Sequence, residues 1–191
     1  HDRTVHAVAG GEVGPDVLRL LHLVVAAALH AGLGAGADAD QVDRAVLRDE
    51  IQRLNALPGV EGYVTQTFCT EARYFQPQNG ARIDAIRDGI DRAHPDGWLR
   101  PLLLTSLLLA ADRVDSTTGL QMAYLKQWAP RSFNPLELKE PDLIAGAGTA
   151  VQGDAMDVVE QLDEVDLAYL DPPYNQHRYF TNYHVWETLI S

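Results

Sequence analysis

The chain has 191 residues, 46% hydrophobic and 22% charged, so it is long enough to bury one core, or one core with a small satellite domain. Its single cysteine, Cys69, excludes an internal disulfide and predicts a reduced, intracellular setting. No apolar run is long enough to span a bilayer, and no cationic stretch followed by an apolar run opens the chain. We therefore expect neither membrane insertion nor a signal peptide.

The formal net charge of −12 argues against a simple binder of nucleic acid, because phosphates attract Lys and Arg. The charge is unevenly spread, however. Residues 72–139 carry nine basic and seven acidic side chains, whereas residues 140–191 carry one basic and ten acidic side chains. If nucleic acid binds, the middle of the chain should meet its backbone. The alternative is that these charges are ordinary solvated faces.

The first part of the chain predicts one strand and two helices. Residues 4–9 are the strand, and the helices cover residues 15–31 and 39–54. We interpret the glycine-rich residues 32–38 as a flexible linker and not as a nucleotide loop, because they follow a helix instead of a strand. The apolar positions of the second helix are Val42, Ala45, Val46 and Ile51.

The middle of the chain predicts more helix. Residues 62–69 (GYVTQTFC) are rich in β-formers and are predicted to be extended, whereas Asn79 is predicted to cap a helix with isoleucines at helical spacing. An apolar core helix over residues 102–111 and a further helix over residues 120–128 follow, before a connecting loop over residues 130–148. The isoleucines are Ile83, Ile86 and Ile90.

The last segment has the pattern of a parallel α/β sheet. A strand over residues 150–152, a helix over 155–162, a buried strand over 166–170 and a helix from residue 183 are predicted in this order. Ligands of such sheets bind at the carboxyl ends of the strands. The tetrapeptide Asp171-Pro172-Pro173-Tyr174 directly follows the buried strand and is therefore the candidate site.

This tetrapeptide fits methyl transfer to an aromatic amine. The lone pair of such a nitrogen is delocalised into the ring, so acceptors that bind its two hydrogens favour a more nucleophilic, tetrahedral nitrogen. The carboxylate of Asp171 and the carbonyl of Pro172 are such acceptors, and Pro173 adds rigidity because its φ is fixed. Tyr174 offers a face on which a flipped-out base can stack. The alternative is a surface turn after an edge strand.

Three blocks of sequence carry a resemblance to a known family. They are residues 61–92 (with EGYVTQTFCTEARYFQPQNGARIDAIRDGI), residues 106–126 (SLLLAADRVDSTTGLQMAYLK) and residues 153–188 (with GDA and LDPPYNQHRYFTNYHVWET). The chain resembles the DNA adenine methylases of the D12 class, in particular a restriction-modification branch. The resemblance implies methylation of adenine N6 in double-stranded DNA, S-adenosylmethionine as cofactor, and a cognate restriction endonuclease as a partner.

The resemblance also implies roles for individual residues. Asp171 and the Pro172 carbonyl would hold the adenine amino group, Tyr174 would stack on the ring, and Asp154, together with Asp171, would contact the cofactor. The region before the catalytic motif would recognise the target. Several residues of this region are candidates for contact with DNA. The alternative for each is a structural role, as an ordinary surface charge, a helix cap, a core residue or an ion-pair partner. These candidates are Arg73, Tyr74, Asn79, Arg82, Arg87 and Lys126, with Arg178 near the flipped base.

We therefore expect three parts. Residues 1–54 would be an N-terminal helical part of a methyltransferase domain, residues 55–140 a mostly helical target-recognition domain, and residues 141–191 the catalytic segment. The family's glycine-rich cofactor loop (D-x-F-x-G-x-G) is missing, as are later strands, so this α/β domain would be a partial Rossmann-like parallel sheet from a longer protein, or one completed by another chain. We expect no metal site, and a location in the bacterial cytoplasm at the DNA.

Two other functions stay open at this point. The same motif would serve an amino-methyltransferase acting on cytosine N4, on RNA or on a protein amide. A DNA-recognition module that keeps the motif but binds no cofactor belongs to a different class, and the missing glycine loop favours it for the chain alone. Binding of S-adenosylmethionine, measured by calorimetry, separates these possibilities.

Overall fold

The computed structural model describes residues 5–9, 42–119, 121–143, 148–152, 160 and 180–191. Within this part, strand β1 (Val5–Ala9) pairs in parallel with β2 (Gly148–Gln152). Both strands were predicted, and β2 begins earlier than its apolar pattern indicated. The predicted elements at residues 15–31, 155–162 and 166–170 lie outside the described residues. The parallel pair places the carboxyl ends of β1 and β2 at the same edge, since Ala9 lies opposite Gln152.

The described chain between and after these strands is mostly helical. Its α-helices confirm four predicted ones, although their ends differ, and two short turns of other helical types accompany them. The helices are α1 (Arg44–Asn55), α2 (Pro77–Ala93), α3 (Leu99–Asp112) and α4 (Phe180–Ile190), with a π-helix at Thr65–Thr70 and a 3-10 turn at Pro130–Phe133.

Helix α1 begins later than predicted because Asp43 caps it. The Asp43 carboxylate accepts hydrogen bonds from the backbone N–H groups of Ala45 at 3.0 Å and Val46 at 3.2 Å. This cap also fixes which face is buried. Val46, predicted as an apolar contact position, is 44% exposed, and the buried positions are Leu47, Ile51 and Leu54.

Residues 63–70 are helical, so the prediction of an extended segment over residues 62–69 was wrong. Their N–H groups are capped from α2 by the Asp84 carboxylate, which accepts from the backbone N–H of Gly62 (2.9 Å), Val64 (2.9 Å) and Thr65 (2.8 Å) and from the Thr65 hydroxyl (2.7 Å). A carboxylate at a helix start satisfies donors that have no partner within the helix. This long-range cap outweighs the β-propensity of the local sequence.

The helix predicted over residues 120–128 is also absent from the described residues 121–128. Tyr124 instead forms an antiparallel bridge with Thr117, and the Leu125 N–H donates to the Ser116 carbonyl at 2.8 Å. Gly119 adopts a φ of 103°, which turns the chain in a way that other residues rarely allow. Residues 117–128 therefore form a loop, called here the 117–128 loop.

The core lies where α2, α3 and α4 meet. The predicted isoleucines of α2 are fully buried, and α3 and α4 contribute apolar side chains to the same cluster. The Phe75 and Trp186 rings also meet here, with centroids 6.2 Å apart. Helix α4, which follows the candidate catalytic tetrapeptide in sequence, is thus packed into the helical region. Its buried side chains are Val185, Trp186 and Leu189.

Candidate DNA-recognition surface

The predicted catalytic and cofactor residues lie outside the described residues, as does Arg178. The elements beside them are described. Strand β2 ends at Gln152, directly before Gly153-Asp154, and α4 begins six residues after Tyr174. Asp154 therefore follows a strand at the carboxyl edge of the parallel pair, which is where ligands of parallel sheets bind.

Asn79 is neither a helix cap nor exposed. Gln76 precedes α2 as its N-cap residue, and Asn79 is 1% exposed within the first turn. Its side-chain amide donates to the carbonyls of Ser132 at 3.1 Å and Asn134 at 2.9 Å, and its oxygen accepts from the Leu136 N–H at 3.0 Å. The structure therefore uses Asn79 to hold the segment after the 3-10 turn.

Arg82 and Arg87 bind backbone carbonyls inside the protein. Arg82 donates to the carbonyls of Leu57 and Asn55, just after and at the end of α1, and burial lowers the pKa of its guanidinium. Arg87 donates to the Leu189 carbonyl at 2.7 Å and forms an ion pair with Asp91. Both guanidinium groups thus stabilise helix ends, where carbonyls lack partners within the helix.

Arg73 and Tyr74 both hold the 117–128 loop. Arg73 donates to the carbonyls of Leu125 (3.2 Å) and Lys126, and its guanidinium carbon lies 5.9 Å from the ring centroid of Tyr124. Tyr74 is 7% exposed and donates its hydroxyl to the Gln121 carbonyl at 2.9 Å. Burial, and secondarily Tyr124, raises the pKa of Tyr74, so this hydroxyl stays protonated as a donor.

Lys126 keeps the exposed position that a DNA contact requires, and it shares the 117–128 loop with apolar neighbours that the sequence predictions missed. Met122 is 51% exposed and Tyr124 is 40% exposed. Trp128, partly buried, stacks over Arg73 with its ring centroid 5.6 Å from the guanidinium carbon. The apolar run Met-Ala-Tyr-Leu gave no signal of this exposure, because it equally fits a helix packed against the core.

An ion pair between the buried Asp115 and the exposed Arg131 secures the base of this loop. Asp115 is fully buried and binds Arg131 through its carboxylate and its backbone carbonyl, and its carboxylate also accepts from the Thr117 hydroxyl at 2.6 Å. Asp112, one turn earlier, forms no ion pair with the described residues. Burial, and secondarily Asp115, raises the pKa of the Asp112 carboxyl, although Arg131 and Arg113 lower this pKa to a lesser extent.

Asp112→Asn should therefore raise the melting temperature at pH 7. Because the folded-state pKa of Asp112 is raised, the stability it contributes is fully present below the unfolded pKa and is lost as pH rises through the folded value. The gain should shrink below about pH 4, where the carboxyl is protonated in both states. Thermal unfolding at both pH values measures this. Asp96→Asn, at an exposed turn, is the control, and an equal gain at both pH values would contradict the assignment.

No helix in the described part of the chain combines the length and apolarity needed to cross a membrane. Within the same residues, no group of three or more His, Cys, Asp or Glu side chains is arranged to hold a metal ion.

Comparisons with known proteins match most of the chain. The sequence profile of the D12 class N6 adenine-specific DNA methyltransferases matches residues 39–191. The chain is 36% identical over 150 residues to the type II methyltransferase M.NlaIII of Neisseria lactamica, covering 73% of this chain and 44% of that protein. It is 34% identical over 125 residues to the type II methyltransferase M.FokI of Planomicrobium okeanokoites, covering 62% and 19%. No solved structure matches the chain significantly.

These matches show that the chain is a DNA methyltransferase sequence. It belongs to the D12 class of N6 adenine-specific DNA methyltransferases, which confirms the resemblance drawn from its three sequence blocks. The chain spans less than half the length of these relatives.

Proposed function

We propose that the chain forms part of a site-specific DNA methyltransferase that methylates N6 of an adenine flipped out of double-stranded DNA. The observation that carries this proposal is the tetrapeptide at residues 171–174, inside the stretch 39–191 that the family profile matches. Relatives named as type II methyltransferases and modification methylases support it, and they support a cognate restriction endonuclease as a partner of the whole protein.

The proposed chemistry uses the residues of the tetrapeptide. Asp171 and the Pro172 carbonyl accept the two amino hydrogens of adenine, which directs the nitrogen lone pair outward, and Pro173 keeps that turn rigid. Tyr174 stacks on the extruded base, and such stacking is worth about 1–3 kcal/mol, which offsets part of the cost of flipping. A strong base is not needed, because the proton can leave after the methyl group has moved.

S-adenosylmethionine supplies the methyl group when bound. Asp154 and Asp171 are the residues of this chain that we propose to contact it. The parallel pairing of β1 with β2 supports this position for Asp154, two residues beyond the end of β2. It also supports the proposed Rossmann-like sheet, which residues 1–54 and 141–191 would share, with residues 55–140 as the helical target-recognition domain.

Lys126 and Arg178 are the basic residues that we propose to meet the DNA backbone. The Lys126 side chain is exposed and forms no hydrogen bond or ion pair with the described residues. The internal contacts of Asn79, Arg82 and Arg87 favour structural roles for these three residues instead.

The test is methyl transfer by the full protein that the gene encodes. Purified protein, labelled S-adenosylmethionine and unmethylated duplex DNA should yield N6-methyladenine at one sequence, detected by nucleoside analysis. Labelled N4-methylcytosine would point to the cytosine alternative. A protein that binds DNA but neither binds nor consumes S-adenosylmethionine would establish the recognition module instead.

Lys126→Ala should weaken DNA binding and reduce its salt dependence. Loss of one phosphate contact lowers the slope of log affinity against log salt by about one. Fluorescence anisotropy with duplex DNA at several salt concentrations measures both quantities. Lys139→Ala is the matched control, because Lys139 is also exposed but lies between Leu138 and Glu140, which bind α1. An unchanged slope in Lys126→Ala would remove this lysine from the interface.

A further inference from the structure

Two adjacent side chains fix the 117–128 loop from outside. Tyr74 binds the carbonyl of Gln121 near the loop's turn, and Arg73 binds the carbonyls of Leu125 and Lys126 on its return. The rings of Tyr74 and Tyr124 also pack edge to face, with centroids 5.4 Å apart. Because carbonyls carry these contacts, the pair controls the path of the backbone and not one particular side chain.

The other described contacts that hold the loop lie at its base, where Asp115 and Arg131 bind Thr117 and the Thr117 hydroxyl accepts from the Gly119 N–H. Backbone contacts at its base are the Thr117–Tyr124 bridge and the Leu125 to Ser116 hydrogen bond. Gln121 is 1% exposed, and neither its side-chain nitrogen nor its side-chain oxygen has a hydrogen-bond partner among the described residues, which adds an energetic cost to this position of the loop. The position of the loop therefore depends strongly on Arg73 and Tyr74.

The same tyrosine links the loop to α4. The Tyr74 ring lies 5.7 Å from the His184 ring, centroid to centroid, and His184 lies in the helix that begins six residues after Tyr174. A residue that contacts both the loop and the helix beyond the catalytic motif is well placed to set one relative to the other.

We propose that Arg73 and Tyr74 are positioning residues: they hold the 117–128 loop so that its exposed side chains, Met122, Tyr124 and Lys126, meet the DNA. Neither residue contacts DNA itself. The part of the proposal that concerns DNA rests on the proposed function. The part that concerns the position of the loop depends only on contacts within the chain.

Charge-conserving and charge-removing variants of Arg73 separate positioning from contact. Lysine keeps the positive charge but lacks the planar fork that binds two carbonyls and stacks on two rings. We expect Arg73→Lys and Arg73→Ala in the full protein to lose DNA affinity alike, by about tenfold, and to lower the salt slope alike, by about one, because each variant releases the loop that carries Lys126. A phosphate contact predicts near wild-type affinity for Arg73→Lys and a slope lower by about one for Arg73→Ala. That result would overturn the proposal.

Hydrogen exchange tests the holding of the loop without DNA. In Arg73→Ala and Tyr74→Phe, which removes the hydroxyl and keeps the ring, the Leu125 amide should exchange faster while amides of Ile83–Ile90 keep their protection. Arg113→Ala, an exposed arginine after α3, is the control. An unchanged exchange rate of the Leu125 amide in both variants would contradict the role of Arg73 and Tyr74 in holding the loop, regardless of the result for DNA binding. Absence of DNA binding by the wild type overturns the DNA role together with the proposed function.

A double-mutant cycle on DNA affinity distinguishes loss of the loop position from a general loss of stability. Tyr124→Ala should lower DNA affinity in the wild type but add little in the Arg73→Ala background, because the loop has already lost its position. Additive losses would show that Arg73 and Tyr124 act independently and would contradict the proposal.

Discussion

Replacing Asp171 with alanine should abolish methyl transfer by the full protein while leaving DNA affinity largely intact. The variant loses the acceptor that we propose for one amino hydrogen of the flipped adenine, and it keeps the recognition region. Removal of one preorganised group of this kind lowers turnover by about 10²–10³-fold. Single-turnover methylation, with DNA affinity from anisotropy, measures the two effects separately.

Asp96→Ala is the matched control for Asp171, since it removes an exposed carboxylate from a turn outside the proposed site. It should methylate at the wild-type rate. Methyl transfer retained by Asp171→Ala would exclude the proposed role of the tetrapeptide. A parallel loss of DNA affinity would instead place Asp171 in the recognition of DNA.

Local sequence patterns were enough to predict the elements that bury apolar side chains. Isoleucines at helical spacing predicted α2, and the apolar run of residues 102–111 predicted α3, because each pattern by itself defines the buried face. The strand at residues 4–9 was likewise confirmed. These predictions succeeded because burial of apolar side chains along a single segment is enough to stabilise each of these elements.

The failures share a different physical origin. Residues 63–70 are helical because the Asp84 carboxylate, some 20 residues away in the sequence, accepts from the N–H groups of Val64 and Thr65. The 117–128 loop takes its path from the side chains of Arg73 and Tyr74. Local propensity contains no trace of such long-range hydrogen bonds.

The candidate site divides in the same way. The tetrapeptide at residues 171–174 is contiguous in sequence, so its chemistry can be predicted from these four residues and the apolar strand pattern before them. The candidate DNA contacts are spread over the chain, and a basic residue in sequence does not reveal whether its partner is a phosphate or a carbonyl. Arg82, which was predicted to contact DNA, binds the end of α1, whereas the exposed Met122 and Tyr124 were missed.

Asn79→Ala should strongly destabilise the protein, which distinguishes the structural role of Asn79 from a DNA contact. The substitution removes two donated hydrogen bonds and one accepted bond, and it leaves the buried N–H of Leu136 without its partner. Because an unsatisfied buried group costs about 1–3 kcal/mol, we expect a loss of roughly 3 kcal/mol in the free energy of unfolding. That loss corresponds to a melting temperature lower by about 6–12 °C in a domain of this size.

Gln78→Ala, one residue earlier on α2 and exposed, is the control for this measurement and should change the melting temperature little. Asn79→Asp keeps an acceptor for the Leu136 N–H but places a buried carboxylate oxygen against the carbonyls of Ser132 and Asn134, so it should be no more stable than the alanine variant. A DNA contact would give the opposite pattern, with stability unchanged and DNA affinity reduced. Such a result would mean that the amide of Asn79 leaves the carbonyls of Ser132 and Asn134 in order to reach a base.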